Sequence, residues 1–419
     1  MTMFGESENE ITPLLTAVAG RDLDRDDLEE LFSRAAWSGI AEPGDRMAGV
    51  VVERLGAAAA LRALMKPWSV AEFAAVLESA EQPDVTAALE RWMPRLRPSA
   101  VVSNLRQAAR VGARLLVPSD LHWPVGVDDL GEHAPLALWV RGTDAALDSL
   151  SRSIALVGAR AATGYGEHVT MEASAGLVDR GYSIVSGAAY GIDGMAHRAA
   201  LASHGQTIAF LAGGVDRFYP SGHDALLTRI AEVGAVVSEL PCGQAPTKWR
   251  FLQRNRLIAA ASRATVVLEA GWRSGSLNTA GHAATLGRPL GAVPGPVTSA
   301  ASAGCHRLIR DYTAICVTNP DEMAELSPLE AAPALFADPT ASMTSPSQSR
   351  SQLPAESGSP SPELVRLFDA LSVRSPRAAA DIAARAGLSI AVVQSLLGAL
   401  QLEGEVAERE RGWVRVTRA

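Results

Sequence analysis

Apolar and polar positions change their rhythm three times along the chain. Over residues 1–110 apolar positions recur at helical spacing, as in Asp84 to Met93, and predict a domain of short helices. Residues 110–142 are mixed, with brief apolar runs at Arg114 to Val117 and Leu136 to Val140 around a turn-like Trp123-Pro124, and read as a lead-in to the main domain. From Ser153 continuous apolar runs take over: Ile154 to Val157, Ser183 to Val185, Thr207 to Leu211, Ala235 to Val237, Ala264 to Leu268 and Leu290 to Val293. Helical stretches lie between several of them, at His168 to Arg180, Gly194 to Ser203 and Asp224 to Val233. Short, wholly apolar strands alternating with helices predict βαβ units and a parallel sheet covered on both faces.

The pattern then lapses. Residues 327–361 are rich in Pro, Ser, Ala and Gln and predict a flexible linker. Order returns over residues 362–419. Three helical patterns (Pro362 to Leu371, Arg377 to Ala386, Ile390 to Leu402) precede a hairpin at Gly404 to Val406 and Gly412 to Val416, which together predict a winged helix. The expected organisation is a helical domain (1–110), an extended Rossmann-like α/β domain (111–326), a linker (327–361) and a C-terminal winged-helix domain (362–419).

Composition narrows the class. With 47% apolar and 20% charged residues over 419 positions, the chain has material for a real core, which excludes wholesale disorder. No apolar run approaches the roughly 18 residues that cross a bilayer, and the acidic MTMFGESENE start lacks a signal pattern, so a cytoplasmic protein without a membrane span is expected. Cys242, Cys305 and Cys316 form no CxxC and have no histidine cluster beside them; buried reduced thiols are expected, with no disulfide framework and no metal site. Net charge is −8, yet Ser151 to Pro320 carries 15 Lys/Arg against 10 Asp/Glu, a balance of +5 that leaves −13 elsewhere. A basic middle between acidic flanks is a local electrostatic signal.

In an open parallel sheet ligands bind at the carboxyl ends of strands. Here these ends are small or glycine-rich: Gly158-Ala159-Arg160, Ser186-Gly187-Ala188, Gly213-Gly214, Gly271 to Ser276 and Pro294-Gly295. One such turn means only a tight turn. Several converging on one sheet edge favour a phosphate site, because backbone N–H groups can approach an anion there. The dinucleotide fingerprint, the Walker loop and the GxSxG elbow are all absent. Asp193 and His197, four apart, fix a helix start more readily than they form a triad with Ser186, and no catalytic residue is assigned. Lys248-Trp249-Arg250-Phe251-Leu252-Gln253-Arg254-Asn255-Arg256 holds four cations and two aromatics, with Arg263 and Arg273 following. That mixture suits single-stranded nucleic acid, where cations take phosphates and aromatic faces take bases; a solvated basic face over a buried Trp and Phe is the bland alternative. The expected recognition helix of the winged helix, Ser389 to Leu400, reads SIAVVQSLLGAL and has no Lys or Arg, so this module is expected to be a protein-contact or regulatory domain rather than a reader of duplex DNA.

Between about Asp120 and Pro320 the chain resembles the DNA-processing protein A (DprA, or Smf) family. The resemblance rests on Val157-Gly158-Ala159-Arg160 with Thr163-Gly164-Tyr165-Gly166, on Ser186-Gly187-Ala188-Ala189-Tyr190-Gly191-Ile192-Asp193 with Ala196-His197, and on Gly213-Gly214-Val215-Asp216 with Tyr219-Pro220. It continues in order through Ser238-Glu239, Phe251 to Ile258 (similar to an FPxRNRIIA pattern), Ser274-Gly275-Ser276 with Thr279-Ala280, and Val293-Pro294-Gly295. It implies a non-enzymatic, cofactor-free binder of single-stranded DNA. Such a protein protects incoming strands and helps load the RecA recombinase during natural transformation and DNA uptake, acting as a homodimer. Carried onto this chain, it implies phosphate contacts from Gly158, Arg160, Ser186, Gly187, Gly213, Lys248, Ser274, Gly275 and Ser276, with Arg254, Asn255 and Arg256 ordering the basic segment at the phosphate site, and a base stacked on Phe251. The rival from another class is a Rossmann-like phosphoribohydrolase acting on nucleoside monophosphates. It would need a glutamate over a sugar; its PGGxGTxxE run is missing and Glu269 is the nearest candidate. A scaffold working through the winged helix is a third reading.

Overall fold

The computed structural model describes residues 2–66, 68–77, 82–329 and 361–416. The expected linker 327–361 therefore falls almost wholly outside the described residues.

Ahead of the sheet, β1 (Thr2–Met3) and β2 (Glu6–Ser7) form a two-residue ladder, followed by helices α1 (Glu8–Ala19), α2 (Arg25–Ile40), α3 (Arg46–Leu55), α4 (Ala57–Met65), α5 (Val70–Val76), α6 (Gln82–Trp92) and α7 (Pro98–Arg110). Acid and hydroxyl caps start several of them. Asp24 accepts from Asp27 N, Asp45 from Met47 N, and Ser69 with Glu72 closes a capping box, each satisfying N–H groups that the first turn leaves unpaired. Phe32, Trp37, Phe73 and Trp92 fill the core between them.

The sheet comprises β3 (Arg114–Leu116), β4 (Leu138–Gly142), β5 (Ser153–Gly158), β6 (Ser183–Ser186), β7 (Thr207–Phe210), β8 (Ala235–Ser238), β9 (Ala264–Glu269), β10 (Leu290–Ala292) and β11 (Ile315–Cys316), in the order β11-β10-β9-β5-β6-β7-β8-β4-β3. All neighbours are parallel except β8–β4 and β4–β3. The expected strands stand within a residue or two of their apolar runs. The lead-in segment does more than expected, since β3 and β4 extend the sheet by two strands. Trp139 of β4 is fully buried and its Nε1 donates to Ser38 Oγ at 3.2 Å, while Arg34 donates to Leu136 O at 2.7 Å, fastening the N-terminal helices to this edge.

Helices cover both faces. Alternate residues of the central strands point to opposite sides. Ile154, Leu156 and Ile184 meet α9 (Gly164–Asp179) and α10 (Ile192–Ala202) on one side. Ala155, Val157 and Val267 meet α12 (Lys248–Ala261), α13 (Ser276–Thr285) and α14 (Ala303–Asp311) on the other. Short α8 (Asp144–Asp148), α11 (Asp224–Val233) and α15 (Pro320–Glu325) complete this part. A separate apolar cluster holds α16 (Pro362–Ala370), α17 (Ala379–Ala386), α18 (Ile390–Leu402) and the β12–β13 hairpin (Val406–Arg409, Gly412–Arg415), the expected winged helix. Among the described residues no single helix is long and apolar enough to cross a membrane.

Strand order turns back at β5: the chain lays down β6, β7 and β8 to one side, then crosses to β9 on the other. This switch point opens a crevice beyond the carboxyl ends of β5 and β9. The ladder slips there, with Val157 opposite Val267 but Gly158 opposite Glu269. A methyl group on Gly158 would sit 2.6 Å from Ile192 and 2.8 Å from Glu269 O, so only glycine passes.

Candidate nucleic-acid interface

A cleft of about 630 Å³ occupies that crevice. Its walls come from the loop after β5 (Gly158 to Ala161), the loop after β9 and the start of α13 (Gly271, Arg273 to Ser276), and one side of α12 (Phe251, Leu252, Arg254, Asn255). The small side chains at the strand ends leave the backbone open to the space. Gly275 stands at the N-cap of α13 and no side chain caps it; Leu277 N and Asn278 N donate to Ser274 O and Gly275 O, so this end of the helix offers the cleft its dipole. Ser274 and Ser276 pair their hydroxyls at 2.8 Å beside it.

Exposed cations rim the cleft. Arg160 and Arg273 line it, and Lys248 begins α12 just outside. None of the three joins an ion pair among the described residues. A lysine in the first turn opposes its own helix dipole, and the start of α12 already faces an anion, since Trp249 N donates to Asp369 Oδ2 at 3.1 Å. The Phe251 ring is flanked by charge and ring: the Arg160 guanidinium lies 5.0 Å from its centroid, that of Arg254 5.8 Å, and the Tyr219 ring 5.5 Å at a tilt of 54°. Such packing holds an aromatic ring in one orientation.

The other residues of the basic segment are fasteners. The segment is a helix, not a loop, started by Thr247, whose hydroxyl accepts from Arg250 N. Arg254 is buried, and its Nη1 donates to Gly187 O at 2.6 Å and Phe210 O at 2.7 Å. Burial pulls its pKa down to about 10; the Asp193 carboxylate works against this and Arg160 adds to it. Asp193 is itself buried on the cleft wall, where burial raises its pKa although Arg254 opposes the rise. Asn255 donates to Gly275 O and Asn278 Oδ1, tying α12 to the α13 start. Arg256 faces away from the cleft, with Nη2 at 2.7 and 2.8 Å from the Glu239 carboxylate. Arg250 makes a bidentate pair with Glu42 at 2.8 and 3.1 Å.

The cleft thus brings together Gly158, Arg160, Phe251, Arg254, Asn255, Ser274, Gly275 and Ser276 from the expected set. It does not bring in Ser186, Gly187, Gly213, Lys248 or Arg256. Ser186 is fully buried and its Oγ donates to Leu156 O at 2.6 Å. Gly187 has Arg254 where a Cβ would stand, and Gly213 is pressed by Gln244 O and Pro246. Their small size serves chain packing, because buried carbonyls there need a donor and the neighbouring chain needs room. Ser186, Asp193 and His197 form no triad. His197 is fully buried against Thr207 Oγ1 at 2.7 Å, and burial, with His223 next, pulls its pKa down to about 3. Glu269 is spent on α9: its carboxylate accepts from Thr163 N at 2.9 Å and Thr163 Oγ1 at 2.6 Å. Arg273, noted in the sequence beside the basic segment, lines the cleft; Tyr219, which was given no site role, reaches Phe251 only through the fold.

Residues 114–328 match the family model described as DNA recombination-mediator protein A, and residues 351–410 match the DprA winged helix domain. The chain belongs to the DNA recombination-mediator protein A family. Within DprA and Smf proteins, a Mycobacterium tuberculosis relative is 53% identical over 233 residues, 53% of this chain and 59% of that one, so the chain spans about three fifths of that relative's length. Protein Smf of Escherichia coli is 39% identical over 288 residues, covering 68% of this chain and 73% of its own. The X-ray structure of DprA from Streptococcus pneumoniae superposes with a TM-score of 0.57 at 28% identity, over 71% of this chain and 97% of that one. The DprA fold class expected from the sequence, a Rossmann-like sheet with helical and winged-helix additions, is the one observed.

Proposed function

We propose that this chain is a non-enzymatic, single-stranded DNA-binding recombination mediator. It holds the phosphate backbone in the switch-point cleft and protects incoming strands. It works in the cytoplasm as a homodimer and helps load RecA during natural transformation. One observation carries the DNA-binding part: an open cleft rimmed by cations that join no ion pair among the described residues, with an aromatic ring on its wall. Cations along a groove with an aromatic face beside them hold a single strand without regard to sequence. Family membership supports the steps beyond binding. The phosphoribohydrolase reading is disfavoured by Glu269, the carboxylate it needs, which is buried and engaged by Thr163.

The test is fluorescence anisotropy with labelled oligo-dT and the matching duplex across a salt series. Salt-dependent binding to the single strand, with much weaker duplex binding, is expected. Equal affinity for both, or none at low salt, overturns the proposal and returns attention to a small phosphate ligand. RecA loading is then followed as filament formation on strands already coated by a single-strand binding protein.

A further inference from the structure

We propose that Trp272 is a second base-stacking platform, so that a bound strand is held by rings at both borders of the cleft. The inference rests on the single-strand reading of that cleft and extends it to a residue outside the cleft wall.

Trp272 sits between two residues that line the cleft, Gly271 and Arg273, in the turn closed by Ser274 N donating to Gly271 O at 3.1 Å. It is 52% exposed, unusual for an indole unless something covers it or it binds. Its position is set by α14. That helix packs so close that a methyl on Gly304 would meet Gly271 O at 2.6 Å, and Gly304 N donates to Ala270 O at 2.7 Å. One turn along, Arg307 brings its guanidinium to 4.9 Å from the Trp272 ring centroid. Arg307 is held in turn, its Nη2 donating to Tyr312 Oη at 3.1 Å and its guanidinium 5.5 Å from the Tyr312 ring. The indole is therefore backed by a fixed cation and still half exposed.

Phe251, which lines the cleft from α12, is built the same way, with Arg160 at 5.0 Å from its ring. Two aromatic rings, each with a guanidinium packed against it, thus stand on and beside the wall of the cleft. A cation beside the ring fixes the platform and adds positive potential where the backbone must pass, and every base offers a face to stack. A buried indole would point to core packing instead, and a solvent indole with no cation would carry no bias toward a polyanion.

Oligo-dT of increasing length, measured by anisotropy, tests the proposal. Trp272→Ala is expected to weaken binding of oligomers long enough to reach past the cleft by roughly five- to a hundredfold, with the salt slope unchanged because no phosphate contact is lost. Trp272→Phe should recover most of the loss. The shortest oligomers that bind should be affected by Phe251→Ala and spared by Trp272→Ala. Wild-type affinity of Trp272→Ala at every length, while Phe251→Ala binds poorly, overturns the platform and leaves the cleft reading standing. No binding by the wild-type chain overturns the cleft reading first. A shift in sedimentation of Trp272→Ala without DNA, with affinity per protomer unchanged, makes the indole a self-association contact and also overturns the proposal.

Discussion

Two helices of this protein invert what their sequences suggest. Helix α12 carries four cations in nine residues, yet three of them, Arg250, Arg254 and Arg256, are buried and engaged by Glu42, backbone carbonyls and Glu239, leaving Lys248 exposed. Helix α18 stands where a winged helix would put its duplex reader, yet offers no cation at all; Ile390 and Val392 are exposed at its start and Leu402 at its end. Charge available to a ligand is set by what each side chain already faces. The number of arginines in a window does not measure it, and neither does the kind of domain.

The sharpest way to break that division is to remove a fastener. Arg254→Ala leaves the Asp193 carboxyl buried without its cation and two carbonyls without a donor. A loss of about 3–5 kcal/mol in a urea melt is expected; unchanged stability with lost DNA binding would make Arg254 a ligand residue after all. Glu42→Gln should act on a similar scale, stranding Arg250 and Arg95, which lies 2.7 Å from Glu42 on its other side. The same joint gives a pH signature. Burial by itself pushes the Glu42 pKa up, but Arg250 and Arg95 outweigh it and hold it at about 2, below the ordinary 4.5. A carboxylate depressed in the folded state contributes stability that is complete above about pH 4.5 and lost as pH falls toward 2. Acid melts of wild type and Glu42→Gln should therefore converge over that window and separate above it.

Smaller effects sharpen the other side. Phe251→Ala should cost about 1–3 kcal/mol in oligo-dT affinity with little change in salt slope. Arg160→Ala and Lys248→Ala should each weaken binding uniformly across sequences and lower the salt slope by about 1, read from affinity against salt. The smallest effect belongs to α18. Ser395→Ala, on its exposed side, should leave single-strand affinity unchanged; a measurable loss would bring the winged helix into the DNA path.

Much of this was legible in the chain. Strands such as Ile154 to Val157 declare themselves because both faces of the sheet are buried, and the switch-point cleft follows from small residues gathering at their ends. The function of each arginine was not legible, because partners come from far away: Glu42 is 208 residues from Arg250. Ser186 looked like a phosphate donor since its place in the loop is visible, whereas the Leu156 carbonyl that claims its hydroxyl belongs to the adjacent strand. Strands β3 and β4 showed only as the brief apolar runs at Arg114 to Val117 and Leu136 to Val140, because their antiparallel pairing with β8 and each other is decided across the fold.

The contact between Gly187 and Arg254 reaches beyond this molecule. The guanidinium stands where any β-carbon at position 187 would go, 2.0 Å from its site, and hangs from carbonyls just past β6 and at the end of β7. The two positions are thus a single unit of inheritance. A side chain at 187 requires a shorter residue at 254, and a shorter residue at 254 strands two acceptors, so neither can drift alone without passing through a weakened fold.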